Sequence, residues 1–98
     1  MPNNSILSKI EYLLATAKGK KASQEDIVQI VSLAKEHTDD AIVGRFFGYS
    51  VSDYAIATLS WVGTEDAHQH FKQIYERLPK DRKEDVEELI ERHIYQEI

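Results

Sequence analysis

The sequence predicts an all-α domain of five or six short antiparallel helices, and three observations carry that prediction. Apolar residues recur at spacings of three and four along most of the chain, a capping side chain followed by acidic residues stands where most of the stripes restart, and glycine or proline stands where several stop. Connections are short, which favours antiparallel packing of sequential neighbours. A chain of 98 residues builds one core, so residues 1–98 are read as a single domain.

The first stripe is Ile6, Leu7, Ile10, Leu13, Leu14 and Ala17. Asn4 or Ser5 is placed to cap its start, and Gly19 to end it in the left-handed conformation, with Lys18, Lys20 and Lys21 at the negative end of the dipole. Ser23 ahead of Gln24, Glu25 and Asp26 opens a second helix, with Ile27, Ile30, Val31 and Ala34 behind it and an end near His37. Thr38 or Asp39 caps a third segment carrying Ile42, Val43, Phe46 and Phe47. There Gly44 and Gly48 each cost roughly 1 kcal/mol in a helix interior, so a short strand over 42–47 is the alternative.

Ser50 and Asp53 form a capping-box spacing for a fourth helix ending at Gly63. Its Tyr54, Ala55, Ile56, Ala57, Leu59, Trp61 and Val62 are apolar nearly all round, which places this helix at the centre of the core. Thr64 caps a fifth helix with Ala67, Phe71, Ile74, Tyr75 and Leu78 on one face, stopped by Pro79. Asp81 and Glu84 give a last cap-and-acid spacing, followed by Val86, Leu89, Ile90, His93 and Ile94 on one face.

The run from Asp53 to Ala67, a small-residue helix ending in Val62-Gly63 and followed by Glu65, Asp66 and Ala67, resembles the junction between units in HEAT-like helical repeats. The resemblance implies three hairpins at about 5–37, 39–63 and 64–97 in a short right-handed stack. Where the start of the second helix of such a unit often carries valine-arginine, this chain has Val51-Ser52. An irregular helical bundle is the other architecture. A HEAT-like array implies a protein-interaction scaffold and supplies no universal catalytic residues.

Composition narrows the function classes. No segment approaches the roughly 18 consecutive apolar residues of a membrane span. The opening residues lack the basic region of a secretory signal, so the expected location is cytoplasmic. Absence of cysteine excludes disulfides, thiolate metal sites and cysteine nucleophiles. A formal net charge of −5 opposes a phosphate backbone, so nucleic acid is not an expected partner.

Candidate constellations are few. His68 and His70 project about 200° apart on a helix and cannot grip one ion without other ligands, whereas Asp66 and His70 share a face. Lys18-Gly19-Lys20-Lys21 lacks the frame of a phosphate-binding loop. His93 reads as a core-edge histidine. Gly44-Arg45-Phe46-Phe47-Gly48-Tyr49 surrounds one arginine with aromatics, residue types enriched at interface hot spots. Glu84, Asp85, Glu87, Glu88 and Glu91 give the last helix a negative side, partly balanced by Lys83 to Glu87 and Glu88 to Arg92 at four-residue spacing.

The function expected is therefore a small protein-binding domain, an adaptor or an inhibitor of the immunity type, that masks a basic partner such as a toxin or nuclease. Its contact candidates are Arg45, Tyr49, Trp61, Glu84, Glu87, Glu88 and Glu91. No catalytic residue, metal ligand or cofactor is assigned, and self-association through an exposed end of a stack is a further expectation. The alternatives are an enzyme or small-ligand carrier with a pocket among Tyr12, Tyr54, Trp61, His68 and His93, and nucleic-acid binding if Lys18, Lys20 and Lys21 meet Lys80, Arg82 and Lys83 on one face.

Overall fold

The structure, a computed structural model, describes residues 2–35 and 49–93. These form five helices and no strand: α1 (Pro2–Gly19), α2 (Gln24–Lys35), α3 (Val51–Val62), α4 (Glu65–Glu76) and α5 (Lys80–Arg92). The all-α expectation holds for them. The segment read as a third helix or strand, with Arg45 in it, and Ile94 at the end of the last stripe lie outside the described residues.

At the centre is α3, as its nearly unbroken apolar sequence requires. Ten of its twelve residues are buried, and it packs against each of the other four helices. Ala55, Ala57, Ser52 and Thr58 keep its surface low, so neighbours can approach closely. Around it, α1 contributes Ile10, Leu13, Leu14 and Ala17, α2 contributes Ile27, Ile30, Leu33 and Ala34, and α5 contributes Val86 and Leu89. Of α4 only Ala67 is fully enclosed, with Phe71, Ile74 and Tyr75 half-buried against the core.

Local signals account for most helix ends. Ser23 and Asp26 form a reciprocal box, the Ser23 amide donating to Asp26 Oδ2 (3.0 Å) and the Asp26 amide to Ser23 Oγ (3.1 Å). Ser50 and Asp53 repeat it at the start of α3, and Thr64 Oγ1 accepts from the Ala67 amide at 3.2 Å. Gly63 ends α3 at φ 76, a left-handed conformation that glycine adopts without cost to a Cβ. The run from Asp53 to Ala67 therefore comprises most of α3, a glycine C-cap, a threonine N-cap and the first turn of α4.

Four sequence expectations need correction. Gly19 is not the left-handed residue: α1 runs through it, and Lys20 takes φ 49 with its amide bonded to the Ala17 carbonyl. Asn4 and Ser5 lie inside α1, which starts at Pro2, a favoured first helical residue. The last helix begins at Lys80, before Asp81 can cap it, because Pro79 holds an extended backbone whose carbonyl accepts from the Lys83 amide. His93 leaves the apolar stripe: it closes α5 in the left-handed conformation (φ 50) and is exposed.

Candidate functional site

Helix α5 has two chemically different faces. At about 100° per residue, Glu84, Glu87, Glu88 and Glu91 share an arc of about 100° whose centre lies opposite Val86, Leu89 and Arg82. All four glutamates are exposed, while Val86 and Leu89 are sealed in the core. The periodicity that buries two aliphatic side chains thus gathers the carboxylates on the outside.

Arg82 is the one cation of α5 that turns inward. Its guanidinium nitrogen donates to Asp53 Oδ1 (2.8 Å) and to Ser52 Oγ (2.9 Å), and the Ser52 hydroxyl donates to the Ala34 carbonyl at 2.6 Å. This chain of bonds joins the end of α2, the first turn of α3 and the first turn of α5. With Arg82 neutralised inside by Asp53, the outside of α5 is more acidic than its sequence count implies.

Two aromatic candidates sit beneath α5. Tyr49 is buried, and its hydroxyl donates to Glu88 Oε1 at 2.7 Å. Burial, then the bond to Glu88, pushes its hydroxyl up to about 12. Its ring meets Tyr54 edge-on at 6.1 Å, and burial drives the Tyr54 hydroxyl upward too. Trp61 is also buried, its indole N–H donating to the Ile90 carbonyl at 3.1 Å. Both side chains therefore lie under α5 and not on an exposed contact surface, unlike the expectation from residue type. Glu88 also faces Arg92 at 3.4 Å, the four-residue pair expected, but Lys83 lies over the Tyr75 ring (5.5 Å) without pairing with Glu87.

On α4, His68, Phe71 and Tyr75 form a stacked edge, with ring centroids 6.2 and 5.3 Å apart. The Tyr75 hydroxyl is raised, first by burial and then by hydrogen bonding to Glu87. Asp66 and His70 do share a face, 3.8 Å apart and both well exposed. Among the described residues, no three His, Asp or Glu side chains come together as a metal site.

The five residues of the pocket reading engage different neighbours. Tyr12 donates to Asp26 at 2.7 Å, Tyr54 is sealed beside Tyr49, Trp61 reaches α5, His68 stacks on Phe71, and the His93 ring meets the Glu91 carbonyl. The two basic clusters are also separated. Lys18, Lys20 and Lys21 precede α2, whereas Arg82 reaches the far end of that helix through Ser52, about 16 Å of helix away.

Arg82 and Asp53 were the residues missed as a pair. Asp53 carried a signal, since a carboxylate on a helix apolar nearly all round needs a buried partner. No known protein family matches the chain, and no curated protein or solved structure is significantly similar to it. Among the described residues no helix is long and apolar enough to cross a membrane.

Proposed function

We propose that this chain is a small protein-binding helical domain that offers the outer face of α5 to a basic partner. One observation carries the reading: Glu84, Glu87, Glu88 and Glu91 are gathered on a single exposed face opposite the core. Tyr49 holds Glu88 in place from below, so part of this face is ordered before any partner arrives. The formal net charge of −5 adds long-range attraction for a cationic surface. A HEAT-like junction over residues 53–67 supports a scaffold of this kind, and Arg45 belongs to the proposed contact set with the four glutamates.

Affinity capture from the native host, followed by a salt titration of the captured complex, tests the proposal. Binding should weaken steeply as salt rises, and Glu84→Gln/Glu87→Gln/Glu91→Gln should weaken it at low salt, chiefly through the association rate. Salt-insensitive binding, or full retention by the triple variant, would overturn it.

A further inference from the structure

We infer that α5 is a charge-gated clasp, opening from α3 as a unit at a frequency set by the like charges along its outer face. Its ends are the first reason. Whereas α2, α3 and α4 start with side-chain caps, Pro79 gives α5 none, and in its first turn Lys80 opposes the favourable charge of Asp81 at the positive end of the dipole. At the other end a histidine occupies the left-handed position that glycine holds after α3.

The outer face is the second reason. Glu84 with Glu87 and Glu88, and Glu91 with Glu87 and Glu88, are like-charged pairs at spacings of three and four, which destabilise a helix. Among the described residues one ion pair along this face, Glu88 with Arg92, relieves them, while Lys83 is drawn to the Tyr75 ring. The third reason is its apolar footing among the described residues: Val86 and Leu89 are buried, against ten residues in α3 and Ala67 in α4. Its other ties among the described residues are the half-buried Ile90 side chain, hydrogen bonds through Arg82, Glu88 and the Ile90 carbonyl, and the contacts of Lys83 with the Tyr75 ring and Arg92 with the Tyr49 ring.

What the clasp covers gives it a consequence. Tyr49 and Trp61 each bond to α5, so its release uncovers a tyrosine and a tryptophan, residue types that anchor protein interfaces. Neutralising the outer face keeps them covered, and lowering ionic strength uncovers them. The clasp works in the isolated chain, with or without the basic partner proposed above.

Hydrogen exchange resolved by segment tests it on the partner-free protein. Amides of α5 should exchange through a local opening while those of α3 remain protected to the global limit. Glu84→Gln/Glu91→Gln, both at exposed positions, should slow α5 exchange by about three- to tenfold, and added monovalent salt should act in the same direction. Tyr49→Phe should speed it. Equal protection of α3 and α5, or α5 exchange unchanged or faster in the double glutamine variant, would overturn the inference. Acrylamide quenching of Trp61 gives an independent reading: quenching should fall in the glutamine variant, and no fall would count equally against the clasp.

Discussion

The Arg82 guanidinium lies 2.8 Å from Asp53 Oδ1, with side-chain exposures of only 16% and 3%. Asp53 uses its other oxygen to accept from the Ser50 amide, so one carboxylate both caps α3 and anchors α5. Removing one partner of a buried pair leaves the other charge uncompensated, at a typical cost of about 3 kcal/mol. Arg82→Met is expected to lose that much. Asp53→Ala should lose up to about 1 kcal/mol more, because the carboxylate half of the α3 capping box goes with it while the Ser50 N-cap stays. The double variant should be well short of the sum, and urea unfolding followed by Trp61 fluorescence measures all three. Strict additivity would mean that the two side chains do not depend on each other.

Glycine and lysine stand in each other's best positions at the end of α1. Gly19 is helical and a Cβ there would meet nothing within 4 Å, while Lys20 takes φ 49. Gly19→Ala should stabilise by about 0.5–1 kcal/mol, and Lys20→Gly by about 1 kcal/mol. Together they should raise Tm by roughly 4–8 °C per kcal/mol gained, as read by circular dichroism. Gly63→Ala should do the opposite, since φ 76 is strained for alanine although space is available. A Tm unchanged by the Gly19/Lys20 exchange would contradict the placement of the left-handed residue.

Small residues on α3 set how near its neighbours come. Ala57 has no exposed surface, so Ala57→Leu must displace a packed helix and should cost about 1–3 kcal/mol, against near-neutrality for Ala15→Leu on the exposed side of α1. Thermal melts of the two variants make the comparison. Equal tolerance at both sites would argue against α3 as the central helix.

Sequence alone carried the five described helices and the caps of α2, α3 and α4, because those signals act within four residues, whereas the ends of α1 and α5 departed from it. The Ser50–Asp53 box, the Gly63 stop and the Thr64 cap needed only local hydrogen-bonding chemistry, and the apolar run of α3 needed only the rule that such a helix is surrounded. The site was less legible. Tyr49 and Glu88 are 39 residues apart, and Trp61 and Ile90 are 29 apart, so no periodicity links them. Tyr49 and Trp61 have the composition of contact residues and the position of buried anchors, a distinction made by tertiary packing. Helical spacing alone puts the four glutamates of α5 on one exposed face, while Asp85, also expected on that side, is half-buried away from it.

Tyrosine hydroxyls and one aspartate make stability fall at both extremes of pH. Tyr12 and Tyr49 are each pushed up from 10.0 to about 12, and Tyr54 and Tyr75 are raised in the same direction. Above pH 10 the unfolded chain releases these protons while the folded chain keeps them, so the unfolded state binds fewer protons and stability declines as pH rises. The contribution is complete below pH 10 and is lost progressively toward pH 12. Asp26 behaves oppositely. The bond from Tyr12 and the Ser23 box hold its carboxyl below the usual 3.8, so its stabilisation is present above that value and disappears as pH falls through the lowered one. For these four of the five tyrosines, absorbance at about 295 nm, the tyrosinate band, should therefore rise late and together with loss of helical signal, in contrast to free tyrosine near pH 10. Tyr49→Phe should reduce the alkaline loss, and Asp26→Asn should flatten the acid limb. Formation of more than one tyrosinate per chain at pH 10 with the helices intact would show that these hydroxyls are not enclosed as described, since Tyr95, the fifth tyrosine, lies outside the described residues.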